Sequence, residues 1–168
     1  MRSPLPPLLL ALAALALSAC SVRSDFSTED LYRRSLQGSF DPAGRAERMA
    51  DVRRALDADV APRERLFGAL LLLDSGAVSD LERAFLEAER AADAGLEAAR
   101  PVMAQAIDRA LVLQGYAQKF GTQYVRDEDG VWQLYRVDPA TTDAERAAYG
   151  VPSLAEARAG AQALAARR

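Results

Sequence analysis

The sequence predicts a mainly α-helical fold: a bundle of about five helices, then a β-hairpin, then one or two C-terminal helices. Three observations carry this expectation. Alanine, the residue with the best intrinsic helix propensity, fills about a fifth of the chain. Prolines and Ser/Thr-x-x-Glu pairs that open helices recur along it, with glycines after the apolar runs. Only between residues 122 and 137 does the pattern change to β-branched and aromatic residues around a turn.

Taken in order, Ser27 is placed to cap a helix through about Gln37, with Phe26 stapling onto Leu31 and Gly38 closing it. Asp41-Pro42 opens a second helix, in which Ala46, Met49, Ala50 and Leu56 keep three-and-four spacing. Pro62 opens a third whose run from Leu66 to Leu73 is apolar nearly all round, so it belongs at the centre of the bundle. Ser79 with Glu82 reads as a capping box for a fourth helix, with Leu81, Ala84, Phe85, Ala88 and Ala92 as its apolar stripe, charges opposite, and Gly95 as its end. Pro101 starts a fifth, with Met103, Ile107, Ala110, Leu111 and Gln114 along one face until Gly115.

Thr122 to Arg126 and Val131 to Val137 read as the strands of a hairpin, and Asp127-Glu128-Asp129-Gly130 as its turn. Tyr124, Trp132 and Leu134 are the side chains expected to dock it, because an isolated hairpin is marginal in water. The turn lacks the alternate ligands and the twelfth-position glutamate of a calcium loop. Thr142 with Glu145 and Ser153 with Glu156 read as capping boxes for a short helix ending at Gly150 and for the C-terminal helix, whose last turn carries Arg167 and Arg168 at the negative end of the helix dipole.

Composition excludes several chemistries. The 168 residues include no histidine and one cysteine. A Ser-His-Asp triad, a Cys-His dyad, a His-ligated zinc site, an internal disulfide and a CxxC cluster are therefore all out of reach. No cofactor and no metal site is expected. With 21 basic and 24 acidic side chains the net charge is -3 and the signs are interspersed, which excludes a nucleic-acid partner.

Residues 1–19 have the three-part layout of a secretory signal: a cation at Arg2, an apolar core from Leu8 to Leu17, then small residues. Ten apolar residues rise only about 15 Å as a helix, half a hydrocarbon core, and Pro4, Pro6 and Pro7 interrupt any extension. Leu17-Ser18-Ala19-Cys20 resembles the lipobox of bacterial lipoprotein precursors. The resemblance implies that Cys20 becomes the first mature residue, with a diacylglyceryl group on its sulfur and an acyl chain on its amino group. It also implies a location: an aspartate after the cysteine retains members of that family in the inner membrane, and Ser21 here favours the outer membrane. Residues 20–27 would be the lipidated cysteine and a short tether, and 28–168 a single domain. Eight steps from Cys20 to Thr28 reach at most about 29 Å.

The densest polar cluster is Tyr116 to Gln123, where the fifth helix meets the hairpin. Gln118, Thr122 and Gln123 together donate and accept hydrogen bonds, as a small polar ligand or a peptide strand requires, or as the backbone at a helix-strand junction requires. Asp108-Arg109, then Gly115-Tyr-Ala-Gln118-Lys-Phe-Gly121-Thr122-Gln123, then Asp143-Ala-Glu-Arg146 and Gly150-Val-Pro-Ser-Leu154 resemble an uncharacterised bacterial family. Its members carry an Asp-Arg pair, a Gln-x-aromatic-Gly-Thr-Gln core and an Arg before a Gly-Leu-Pro-type segment. Many also carry a histidine in the helix corresponding to Leu73 to Ser75, which this chain lacks. The family supplies no activity. Asp108, Arg109, Gln118, Thr122, Gln123 and Arg146 are the candidate ligand-binding or structural cluster, with Asp108 free to pair with either arginine.

Two functions are open at this point. One is a membrane-anchored periplasmic lipoprotein without catalysis that binds a protein, a peptide or envelope material. The other is an envelope hydrolase with Asp108 or Glu145 as base and Gln118 or Gln123 orienting the substrate.

Overall fold

The structure is a computed structural model that describes residues 27–36 and 42–165. The expected signal segment 1–19, Cys20, Phe26, Gln37, Gly38, Asp41, Arg167 and Arg168 lie outside the described residues. Among those described, no helix is long and apolar enough to cross a membrane. The fold is mainly helical: the described residues form seven α-helices and a two-stranded antiparallel hairpin ahead of the last two of them.

Helix α1 (Thr28–Ser35) starts where Ser27 Oγ accepts the Glu29 N–H, and it buries Thr28 and Leu31. Helix α2 (Pro42–Leu56) packs through its second half. Met49, Val52, Ala55 and Leu56 are buried, whereas Ala46, expected on the inner face, is exposed because the first half lies clear of the core. Helix α3 (Pro62–Leu72) is central as predicted, packing against α1, α2 and the two helices that follow it. Gly68 of α3 packs directly against Leu56 at the end of α2. A Cβ there would lie 2.7 Å from the Leu56 side chain.

Helix α4 (Val78–Asp93) corrects the expected capping box. It begins at Val78, so Ser79 lies inside the first turn and caps nothing. Ser75 does the work from outside: its Oγ accepts the Ala77 N–H and donates to Asp80, whose carboxylate also takes both a 2.7 Å and a 2.6 Å bond from Arg53 of α2. Leu81, Ala84, Ala88 and Ala91 form the buried stripe, with Phe85 and Ala92 at its edge. The charges are not all opposite, since Asp80 and Glu87 are buried as well. Glu87, 1% exposed, draws Arg65 of α3 to 2.7 Å and Arg90 to 3.0 Å.

Gly95 turns the chain with φ +91°, a 3-10 turn spans Glu97–Ala99, and α5 follows (Arg100–Leu113). Its inner residues are Val102, Ala104, Ala106 and Asp108. The face expected inside, Met103, Ile107, Ala110 and Leu111, is only half-buried, and Gln114 is exposed. The reason is that α5 is covered from two sides, by α4 and by the segment after the helix. Small residues meet both, and the larger ones are left at the rim.

Strands β1 (Tyr124–Arg126) and β2 (Trp132–Leu134) pair with Tyr124 opposite Leu134 and Arg126 opposite Trp132. Asp127 closes the predicted turn by accepting the Gly130 N–H on its carbonyl and the Val131 N–H on its carboxylate. Helix α6 (Asp143–Ala148) has the predicted Thr142/Glu145 capping box. Helix α7 (Leu154–Ala165) begins at the predicted Ser153/Glu156 exchange and lies against β2, where the Tyr124 hydroxyl donates to the Ala157 carbonyl at 3.2 Å. One apolar cluster joins α1 to α5, and Phe120, Ala157 and Ala161 are buried apart from it.

Candidate functional site

Asp108 sits in the last turns of α5, fully buried. Its carboxylate receives four donors from the loop that crosses it. Lys119 N–H and Phe120 N–H reach Oδ1 at 2.7 and 2.8 Å, and the N–H and hydroxyl of Thr122 reach Oδ2 at 2.9 and 2.8 Å. The loop folds this way because Gly115 and Gly121 both take positive φ, which turns successive amides inward. A buried carboxylate aimed at backbone N–H groups replaces the water those groups would otherwise need.

Gln118, also fully buried, does the same for the hairpin. Its side-chain amide donates to the carbonyls of Gln123 and Tyr135, each at 2.9 Å, and accepts the Gln123 N–H at 2.8 Å. Its own backbone bridges to the segment around Val137. Gln123 adds a 3.1 Å bond from its side chain to Thr122 Oγ1.

Arg146 enters from α6, 1% exposed. Nε donates to the Phe120 carbonyl, Nη1 to the Thr141 carbonyl at 2.8 Å and to Asp143 at 3.1 Å, and Nη2 is buried with no partner among the described residues. The structure thus gathers Asp108, Gln118, Thr122, Gln123 and Arg146 at one junction. It corrects the expected ion pairing: Asp108 bonds to neither arginine. One residue on from Asp108, Arg109 is rotated about 100° around the helix and makes no hydrogen bond or ion pair among the described residues.

Glu145, the other carboxylate considered as a base, is exposed and serves α6. The Thr142 backbone N–H and hydroxyl beside it hold its carboxyl below the usual range. Among the described residues no group of His, Cys, Asp and Glu stands close enough to share a metal ion.

The open space lies elsewhere. A groove of about 550 Å³ runs between β2 and α7. One wall is every residue from Trp132 to Pro139; the other is Leu154, Arg158, Ala161 and Gln162. Alternate strand residues point to opposite faces, so a groove touching all of them follows the strand's backbone edge.

No protein-family model, curated protein or solved structure matches the chain.

Hydrogen bonding defines that edge. Tyr135 N–H donates to the Gln123 carbonyl and Asp127 N–H to the Val131 carbonyl, at 3.1 and 3.0 Å. Antiparallel alternation then turns the N–H and C=O of Trp132 and Leu134 away from β1, and nothing among the described residues bonds to them. Sequence reasoning named Tyr124, Trp132 and Leu134 only as the side chains that dock the hairpin on the helices, and it singled out neither a groove nor α7's part in one. The signal was the i, i+4, i+7, i+8 spacing of Leu154, Arg158, Ala161 and Gln162, which puts them on one helical face.

A second groove, of about 510 Å³, lies between α4 and α5 and is lined by the Ile107, Ala110 and Leu111 face together with Leu81, Phe85 and Leu86.

Proposed function

We propose that the protein is a lipid-anchored module of the bacterial envelope, held by Cys20 on the periplasmic side, at the outer membrane in preference to the inner. In this reading it binds an envelope protein or peptide and does so along the groove between β2 and α7. The lipobox carries the address. The observation that carries the binding role is the open backbone edge of Trp132 and Leu134, because unanswered main-chain groups beside an enclosing helix are a docking feature. The Asp108 junction supports the same reading from the other side, since its acceptors are already engaged by its own loop. The Gln-x-aromatic-Gly-Thr-Gln stretch shared with the family it resembles is then the sequence of a joint. Nothing in the geometry favours the hydrolase reading, because Asp108 is enclosed and Glu145 caps a helix.

Two measurements test this. Cys20→Ser is expected to move the protein from washed membranes to the soluble fraction, and unchanged fractionation overturns the anchor. A photo-crosslinking residue at Gln162 is expected to give a discrete adduct in intact cells, and the same residue at exposed Asp93 is not. Absence of an adduct at Gln162 overturns the groove as the partner surface.

A further inference from the structure

We infer that the groove between β2 and α7 takes an extended peptide as a third strand of the sheet, with a carboxylate of that peptide on Arg158. This rests on the groove being the partner surface.

The free groups of Trp132 and Leu134 lie two residues apart on one side of β2, about 7 Å along the strand. Each presents a donor and an acceptor. Another strand answers this pattern with its own alternate residues; a helix cannot, because its N–H and C=O groups are consumed internally. The edge also lacks the usual deterrents to pairing. Trp132, Gln133 and Leu134 carry no charge, no proline interrupts the chain before Pro139, and no bulge breaks the register. A two-stranded sheet is the smallest that exists, and a third strand on the open side of β2 would lie in the groove lined by Leu154, Arg158, Ala161 and Gln162 of α7.

Charge narrows the occupant. Three charged residues line the groove. The Arg136 guanidinium is engaged by the Gly115 carbonyl, and the Asp138 carboxylate accepts the Ala140 N–H. Arg158 is exposed and makes no hydrogen bond or ion pair among the described residues. The groove thus carries two guanidiniums and one carboxylate, a net positive charge, and Arg158 is the one of the three with no partner among the described residues; its fork matches a carboxylate, either an acidic side chain or the peptide's own C-terminus. Trp132, Leu134, Leu154 and Ala161 supply apolar surface for alternate side chains of the incoming strand.

The test is selection from a displayed library of random peptides against the full chain in detergent, followed by titration of synthetic winners. Trp132, the only tryptophan, reports binding by its fluorescence. Winners are expected to carry Asp, Glu or a free C-terminus, and amidating the terminus separates those two sources. N-methylation of the alternate amides facing β2 is expected to abolish binding, while methylation of the intervening amides leaves it intact. Arg158→Gln is expected to weaken binding by about tenfold. A winner indifferent to N-methylation in both registers, or to Arg158→Gln, overturns strand addition while the Gln162 crosslink still decides whether the groove is used. Failure to select any peptide, or binding that leaves hydrogen exchange at Trp132 and Leu134 unchanged, also overturns it.

Discussion

Asp108 and Arg146 are both buried and oppositely charged, and the peptide chain at Phe120 stands between them: the Phe120 N–H donates to the carboxylate and the Phe120 carbonyl accepts from the guanidinium. The two charges polarise the same residue from opposite sides. This arrangement fixes the loop rather than leaving a charge available to a ligand, and it joins the last helix of the bundle to the hairpin and α6.

Asp108→Asn follows directly. An amide in place of the carboxylate turns an NH2 group toward N–H donors and leaves some of them buried without an acceptor. The expected loss is about 3 kcal/mol of unfolding free energy, with faster hydrogen exchange at Lys119, Phe120 and Thr122. Arg109→Ala next to it is expected to stay within about 1 kcal/mol of the parent. Urea unfolding with amide exchange checks both.

Acid sensitivity has a defined source. Burial pushes the Glu64 carboxyl up, but the Thr28 and Ser27 hydroxyls and the N–H groups of Glu29 and Thr28 outweigh it, leaving the group below its usual value. Asp80 is lowered chiefly by its bonds from Arg53, against an opposing effect of burial, with Ser75 helping. A carboxylate lowered on folding stabilises the fold above its unfolded pKa and loses that contribution as pH falls through the folded value. Stability is therefore expected to be steady near neutrality and to decline once the pH drops below about 4.5. Glu64→Gln should flatten the decline while lowering stability at pH 7, as measured by unfolding at a series of pH values.

Glu87 is a buried carboxylate on which Arg65 and Arg90 converge, with Arg83 at 3.7 Å. Glu87→Gln keeps the shape and removes the charge, so the arginines lose their common counter-ion. A loss of about 3 kcal/mol is expected in urea unfolding, and substituting Arg90, 58% exposed, is expected to cost under about 1 kcal/mol.

Gly68→Ala sets two effects against each other. Alanine gains about 1 kcal/mol of helix propensity, while its methyl group collides with Leu56 and overpacking costs about 1–3 kcal/mol. A net loss of about 1 kcal/mol is expected. Leu56→Ala should cost less in the Gly68→Ala background than alone, and a double-mutant cycle measures the difference.

Features written in a few neighbouring residues were legible in the sequence. Pro42, Pro62 and Pro101 stand at the starts of α2, α3 and α5, Thr142/Glu145 and Ser153/Glu156 mark α6 and α7, and Asp127 to Gly130 forms the turn. Features decided by distant partners were not. Ser79 and Glu82 have capping spacing, but Arg53, 27 positions from Asp80, helps set where α4 begins. The Ile107 face of α5 is the more apolar one, yet the loop after the helix claims the side bearing Ala104 and Asp108. The polar cluster was found as a cluster, and its partners were wrong because backbone amides, invisible in a list of side chains, are what Asp108 binds.

The packing order has a mechanical reading. α1 lies on α3, α3 on α4, α4 on α5, and α5 carries the hairpin through Asp108. Stacked helices sit about 8–10 Å apart. Ser27 and Thr28 are clipped to α3 by Glu64, so a load that enters the described chain at its first residues passes straight into α3, the helix that contacts α1, α2, α4 and α5 alike.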